Sequence, residues 1–365
     1  MIRCPESLWM IEREAKTMVD VGVDLHKSYL PVAVLDAWGE IRQEHIEHQG
    51  KEMEEFVRSL EPGSRLAVEA TGNWWWFVDL VESQGHQVVM SNPKETKAIA
   101  HARLKNDRVD AEKLAILLRS GFLPQVWIAP APIRYAKEVL RYRSLLVGMR
   151  TKLRNHLGAM LRKRNRQAAG QKLWGRKGQA YVESVALNPE ADQMRGEALE
   201  QIKALDRLIG GWDQALGRRA KGDPLTRRLM SVPGVGVQTA LAFQTFVGEV
   251  ERFASAKKVA SYFGLAPRER SSGNRRQLGH ITKEGDSLMR HLLVEAALIA
   301  TRRPGPLREF YRRLLRHKGK AKARVAVARK LTEILYQLWK QGCDYHGYLL
   351  RGLRTVGEPV IRTGL

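Results

Sequence analysis

Two acids in the first third of the chain each close a short apolar β-rich run, which constrains what must surround them. Asp24 ends Val21-Gly22-Val23, and Glu69 ends Leu66-Ala67-Val68. A charge among β-branched and apolar residues is costly to bury unless a cation or a hydrogen-bond donor compensates it. Two such acids converge when their strands pair side by side. Around them the pattern predicts strands at 19–26, 29–36 and 41–48, with Ala37-Trp38-Gly39-Glu40 as a turn. A helix at 51–60 is stopped by Glu61-Pro62-Gly63, then come a strand at 65–70, a helix at 74–83 and a strand at 87–91. Helices at 93–101 and 107–120 complete the set.

Three strands, then helix, strand, helix, strand and helix is the order of elements in ribonuclease H-like α/β folds. Asp107 and Asp110 sit in Lys105-Asn106-Asp107-Arg108-Val109-Asp110-Ala111-Glu112-Lys113. On a helix, residues three apart share a face, so both carboxylates can address one ion. Asp24, Glu69, Asp107 and Asp110 around one point would repel unless they bind hard divalent cations. Oxygen ligands and a phosphodiester substrate favour Mg²⁺ or Mn²⁺. Paired metals activate a nucleophile and stabilise a leaving oxygen. The plainer alternative makes Asp107 a helix cap and leaves Asp110 and Glu112 as solvated charges. Trp74-Trp75-Trp76 directly follow the Glu69 segment and are expected to pack the start of a helix on the sheet; base stacking is the alternative.

Charge narrows the partner. The 365 residues carry 62 Lys+Arg against 39 Asp+Glu, a formal charge of +23. A surface this basic repels itself and calls for a polyanion, of which nucleic acid is the commonest. A membrane partner is not expected, because no apolar run of spanning length is present and Glu6, Glu12 and Glu14 interrupt any leader-like segment. Cys4 and Cys343 suggest neither a disulfide framework nor a zinc site, and the histidines form no HExxH pair. A soluble intracellular protein is the expectation. No acid occurs between Val139 and Val182, and Glu309 is the only one between Thr301 and Lys330. Runs so free of counter-charge point to phosphate contacts, with Arg150, Arg154, Arg162 and Arg164 as candidates in the first.

Residues 124–132 are proline-rich and read as a linker, after which long helices are predicted. Leu146, Met149, Leu153, Leu157 and Met160, and then Ile202, Leu205, Ile209, Trp212 and Leu216, repeat at close to 4-3 spacing. Joined by the polar stretch 168–189, they would form an antiparallel coiled-coil arm for dimerisation or RNA contact, or simply pack within the chain. Beyond Pro224, Pro233-Gly234-Val235-Gly236 between two apolar helices is like a helix-hairpin-helix, which can meet phosphate at a helix start or be purely structural.

Tyr262-Phe263-Gly264-Leu265-Ala266-Pro267-Arg268-Glu269-Arg270-Ser271-Ser272-Gly273-Asn274-Arg275-Arg276 continues to Leu278-Gly279-His280-Ile281-Thr282-Lys283-Glu284-Gly285-Asp286. A serine beside a glycine, with Arg268, Arg270, Arg275, Arg276 and Lys283 around it, could attack a phosphate whose charge those cations neutralise. Taken alone, Ser-Ser-Gly is a turn.

The ordered set GVDLHK, VEATG, KNDRVDAEKLA, SVPGVG and YFGLAPRERSSG with LGHITKEGD resembles the insertion-sequence 110 family of transposases over roughly residues 19–342. The resemblance implies a RuvC-like DEDD domain at 17–125, a helical arm at 133–222 and a mainly helical transposase domain at 224–345. It implies that Asp24, Glu69, Asp107 and Asp110 hold the metal and that a serine is the covalent nucleophile, assigned to Ser272 with Ser271 as the fallback. It further implies recombination of donor and target DNA guided by a structured non-coding RNA, in a homo-oligomer (dimer or tetramer) whose active sites combine the two domains. Where other members carry a second glycine and a lysine after Ser-Gly, this chain has Asn274, Arg275 and Arg276. The alternatives are a RuvC-like metal nuclease without a covalent intermediate and a non-catalytic nucleic-acid-binding protein.

Overall fold

The computed structural model describes residues 19–47, 51–99, 107–166, 172–272 and 275–357. The chain divides into two compact units, Met1–Ala129 and Pro130–Leu365. The first is α/β. Its strands are β1 (Asp20–Val23), β2 (Tyr29–Leu35), β3 (Ile41–Glu47), β4 (Arg65–Glu69), β5 (Gln87–Ser91) and β6 (Gln125–Val126), and its described helices are α1 (Glu52–Ser59), α2 (Trp75–Ser83), α3 (Pro93–Ile99) and α4 (Asp107–Arg119).

The six strands lie in the order β3-β2-β1-β4-β5-β6. β1 is antiparallel to β2 and parallel to β4, with Val23 opposite Val68, and β4 is parallel to β5. The central strands are buried on both faces, as parallel neighbours require. Val21, Val23, Leu66 and Val68 pack with Phe56 and Val57 of α1 and with Phe77, Val78 and Val81 of α2. Trp74 and Trp76 lie against this core, which bears out their packing role. On the other face, Ala67 and Val89 meet Leu114, Leu117 and Leu118, while Ala33 and Leu35 meet Ala111 and Ala115 of α4. The small residues let α4 press onto β1. A Cβ on Gly22 would stand 1.9 Å from Ala111 O and 2.7 Å from Ala115 N.

β1 carries a carboxylate at each end, and the two are compensated differently. Asp20 is fully buried, 2.7 Å from Arg65 Nη2 and also paired with Arg119, whose Nη2 donates to Leu35 O and Asp36 O. This clamp ties β1, β4, α4 and the end of β2. Asp24 meets a histidine and further carboxylates instead.

The expected linker at 124–132 is corrected in part: Gln125–Val126 forms β6, antiparallel to β5 through Met90↔Val126 and Ser91↔Gln125. A two-residue strand has no alternation of its own, so only its partner reveals it. The expected helix at 93–101 is seen as α3, and residues 100–106 lie outside the described set.

The second unit is mainly helical. It holds α5 (Ala131–Lys163), α6 (Arg176–Ser184), α7 (Pro189–Gly222), α8 (Pro224–Met230), α9 (Val237–Val247), α10 (Ala256–Tyr262), the hairpin β7 (Pro267–Ser272) and β8 (Arg275–Ile281), then α11 (Ser287–Ala300), α12 (Pro306–Gln341) and α13 (Tyr345–Gly357). The long helices α5 and α7 pair antiparallel, with Arg143 on Asp213 at 2.9 Å, Arg150 on Asp206 at 2.5 Å and Arg154 on Asp206 at 3.2 Å. Leu157, Met160 and Leu161 form a distal core with Val182, Leu199 and Ile202, whereas Leu140 and Leu216 join the larger core of Phe243, Phe246 and Leu335. The pair is therefore rooted in the same core as the helices that follow. Met149, expected on the packed stripe, is exposed. Within the stretch 168–189, Arg176–Ser184 forms α6.

Asp223 caps α8, accepting from Leu225 N at 3.0 Å and Thr226 N at 3.2 Å. Burial alone would raise its carboxyl, but bonds from the Thr226 hydroxyl, the two backbone amides and Gln244 outweigh it and hold the pKa below the usual aspartate value. A depressed folded-state pKa contributes stability that is present above the unfolded pKa and lost as pH falls through the folded one. Asp223→Ala is expected to cost about 1 kcal/mol at pH 7. In urea unfolding of both proteins, the deficit should shrink at about pH 3, below the ordinary aspartate value; an equal deficit at both pH values contradicts the charged cap.

Candidate functional site

The acids gather at the C-terminal end of the central strands. β1 ends at Val23, and Asp24 follows with its backbone N–H donating to Pro31 O at 3.1 Å, which turns the chain toward β2. Glu69 is the last residue of β4, one position beyond the Val23–Val68 pair, so it stands level with Asp24 on the neighbouring parallel strand. Adjacent strands lie about 4.8 Å apart. Asp107 and Asp110 occupy the first turn of α4, where the helix dipole favours carboxylates. Because α4 is seated on Gly22, two residues before Asp24, that first turn is carried to the end of β1.

Side chains of Asp24 and Asp107 then meet around a residue that the pattern of acids did not reveal. His26 Nε2 lies 3.0 Å from Asp24 Oδ2 and 3.5 Å from Asp107 Oδ2. One ligand atom from each of Asp24, His26 and Asp107 falls within 4.8 Å of the others, a spacing that can hold a metal ion. The Tyr29 hydroxyl donates to Asp107 Oδ2 at 3.0 Å, so Asp107, the first residue of α4, is also fixed from β2. That bond and the Asp107 charge raise the Tyr29 pKa. Asp110 accepts from Lys113 Nζ at 2.7 Å. The Asp24 carboxyl is pushed above the ordinary range, first by burial and then by the charges of Asp107 and Asp110, with His26 offsetting part of the shift. A carboxylate held against its own desolvation and two like charges is a ready cation ligand. The donor set therefore fits a divalent metal: Asp24, Asp107 and His26 directly, with Glu69 and Asp110 at the same end of the sheet.

In the second unit, Ser272 is the last residue of β7, opposite Arg275, and Ser271 stands opposite Arg276. The serine segment is thus a strand ending at a hairpin tip, whose residues 273 and 274 lie outside the described set, as do the side chains of residues 270–272, 275 and 276. The base of the hairpin is closed by backbone contacts. A Cβ on Gly264 would stand 2.1 Å from Glu284 O, and one on Gly285 would stand 2.0 Å from Tyr262 O. Arg290 Nη1 donates to Glu284 O at 2.8 Å and Gly285 O at 2.9 Å. Arg268 and Lys283 are exposed beside it.

Among the basic candidates of the helical pair, Arg162 and Arg164 are exposed, while Arg150 and Arg154 are turned onto Asp206. A further cationic group lies near the start of α5: Arg141 of the acid-free run and Lys137, not singled out in the sequence, both sit over the Phe246 ring, at 5.4 and 5.9 Å from its centroid, and Arg141 pairs with Asp286 at 2.9 Å. Burial, then Arg252 and Arg141, push the Lys137 pKa down to about 8. The helix–Pro233-Gly234-Val235-Gly236–helix order is present in α8 and α9, and the Cβ position of Gly234 is filled by Ala296 O of α11 at 2.3 Å. That glycine serves internal packing. Among the described residues, no helix is long and apolar enough to cross a membrane.

Comparison with known proteins agrees with this layout. Residues 21–165, which span the acidic centre, match the DEDD transposase model of the IS110 type. Residues 226–312, which span the serine hairpin, match the model described as Transposase IS116/IS110/IS902 family. The chain is 27% identical to the transposase for insertion sequence element IS1111A of Coxiella burnetii, over 89% of this chain and 91% of that protein. It is 26% identical to a probable family 20 transposase of Pseudomonas aeruginosa, over 89% and 98% of the two chains. It is also 28% identical to the pilin gene-inverting protein of Moraxella bovis, over 76% and 80%. With both models matched in order and the Coxiella and Pseudomonas transposases covered over more than nine-tenths of their length, the chain belongs to the IS110 family of transposases.

Proposed function

We propose that this transposase recombines the DNA of its own insertion element through a transient phosphoserine link, guided by a structured non-coding RNA. The observation that carries the reading is the meeting of Asp24 and Asp107 at the end of β1, level with Glu69 and next to Asp110, in a chain whose second matched segment presents Ser272 at a hairpin tip.

Asp24, Glu69, Asp107 and Asp110 would hold Mg²⁺ or Mn²⁺. When bound, such an ion supplies charge neutralisation at the scissile phosphate and at the leaving oxygen. Ser272 Oγ attacks the phosphorus; a Ser–O–P ester forms, one P–O ester bond of the DNA breaks, the serine proton passes to solvent and the leaving oxygen is protonated. The new diester keeps the bond energy, so a hydroxyl of the partner strand can reverse the step and release Ser272 without ATP. Arg275 lies opposite Ser272 in register, and with Arg268, Arg270, Arg276 and Lys283 it is assigned to the phosphate charge. Arg162 and Arg164, and the Lys137–Arg141 group, are assigned to nucleic-acid backbone. For Arg150 and Arg154 the bonds to Asp206 favour holding α5 against α7. Tyr135, Tyr142 and Leu145, exposed along α5 with Met149, support assembly of more than one copy as a dimer or tetramer.

The test uses the full chain, RNA transcribed from the element's flanks and labelled DNA carrying the element junction. Ser272→Ala is expected to abolish the protein–DNA adduct on a denaturing gel and to lower strand exchange by at least about 10³-fold. Full-rate nicking by Ser272→Ala would replace the serine mechanism with a metal nuclease in which water attacks. An adduct surviving in Ser272→Ala but lost in Ser271→Ala would move the nucleophile by one residue.

A further inference from the structure

The four acids offer oxygen alone, yet the atom found within bonding reach of two of them is a nitrogen. His26 Nε2 is 3.0 Å from Asp24 Oδ2 and 3.5 Å from Asp107 Oδ2. Ligand atoms about 2.1 Å from one ion stand about 3 Å apart when adjacent and about 4.2 Å when opposite. One ligand atom each from Asp24, His26 and Asp107 lies within 4.8 Å of the other two, so the three can close on one ion with a small inward shift.

The imidazole is also held in place. It stacks on Tyr29 with centroids 4.9 Å apart and planes 18° from parallel, and Tyr29 stacks on His45 at 4.8 Å and 24°. The same Tyr29 hydroxyl donates to Asp107 Oδ2. One tyrosine thus restrains both the ring and one of the carboxylates it faces. A histidine that only balanced two surface acids would need neither the stack nor the shared restraint. Ligating residues, in contrast, gain affinity when their rotamers are fixed in advance.

We infer that His26 is a ligand of the metal centre and that its nitrogen makes the centre prefer Mn²⁺ to Mg²⁺. The inference rests on the metal-centre reading above and refines it. Mg²⁺ is bound through oxygen and sheds its waters reluctantly, whereas imidazole nitrogen bonds more readily to transition-metal dications. Replacing one oxygen ligand by Nε2 therefore sets the two ions apart in a site whose remaining donors suit both.

Metal binding by the full chain tests this without any turnover. Free Mn²⁺ is followed by its electron paramagnetic resonance signal, and Mg²⁺ is measured by competition, for wild type, His26→Ala, His26→Gln and Asp24→Asn. Wild type should prefer Mn²⁺ by at least about tenfold, and His26→Ala should weaken Mn²⁺ by about 10–100-fold while changing Mg²⁺ less than about threefold. His26→Gln, which keeps the size of the side chain and substitutes an amide oxygen, should bind Mg²⁺ as wild type does and lose the preference. Pulsed resonance on the Mn²⁺-loaded protein should show a nitrogen coupling in wild type that both His26 variants lack. Equal weakening of the two ions in His26→Ala overturns the Mn²⁺ preference, and no weakening, or no nitrogen coupling in wild type, overturns the ligand assignment. Asp24→Asn separates the two levels of the account: if it lowers both affinities while the His26 variants are silent, only the His26 inference fails. If Asp24→Asn changes neither, the metal centre itself is refuted.

Discussion

Asp24→Asn and Asp110→Asn are each expected to lower strand cleavage by on the order of 10³-fold while leaving the protein folded. Asparagine keeps the shape of aspartate and removes the charge. Asp24 is the more informative of the two, because its carboxyl is raised by burial and by Asp107 and Asp110. The sign follows from that shift. A carboxyl raised in the folded state opposes folding at neutral pH, where it must be charged, and this cost disappears as pH falls through the raised folded-state value. Asp24→Asn should therefore melt at or above the wild-type temperature without metal. Wild type should gain thermal stability when Mg²⁺ or Mn²⁺ is added, since an ion that binds only the native state stabilises it by mass action, and Asp24→Asn should gain much less. A variant that loses activity and also unfolds would show that Asp24 holds the fold, as Asp20 does with Arg65 and Arg119.

Gly22→Val should have a comparably large effect by a different route. The added Cβ would overlap Ala111 O and Ala115 N, both backbone atoms of α4, so a side-chain rotation cannot relieve it. Either α4 retreats from β1 or the strand shifts. The overpacking should cost about 3 kcal/mol, at the upper end of the usual range because the obstacle is main chain. Asp107 and Asp110 ride on the first turn of that helix, so metal affinity should fall with stability. The corresponding control is Gly63→Ala: its Cβ would meet nothing within 4 Å, but its φ of +79° is costly for alanine, so it should lose some stability and keep metal binding. If Gly22→Val binds metal as wild type does, the close seating of α4 is not what positions the acids.

The element order, the strand-end positions of Asp24 and Glu69 and the packing of Trp74 and Trp76 could be read from the sequence, since each leaves a local mark. An apolar run stopped by an acid, or an aromatic cluster opening a helix, is visible within ten residues or so. What could not be read depends on partners far along the chain. Arg150 and Arg154 looked free in a window without acids, but their counter-charge Asp206 comes from α7, more than fifty residues on. β6 exists because β5 offers it an edge. His26 gains meaning only once Asp24 turns toward Pro31 and α4 delivers Asp107 to the same point; a histidine two residues past a strand-end acid was the available hint. The Lys137–Arg141 group is assembled from α5 and the Phe246 ring of α9, which no spacing within α5 announces.

The most direct measurement of the central claim is cleavage of labelled junction DNA by the full wild-type chain with its flank-derived RNA, first in excess EDTA and then after Mg²⁺ or Mn²⁺ is restored. The account predicts no strand cleavage in EDTA and its return, with a covalent protein–DNA product, once the divalent ion is added. Cleavage in EDTA at the rate seen with metal would contradict the assignment of Asp24, Glu69, Asp107 and Asp110 as a metal-holding catalytic centre.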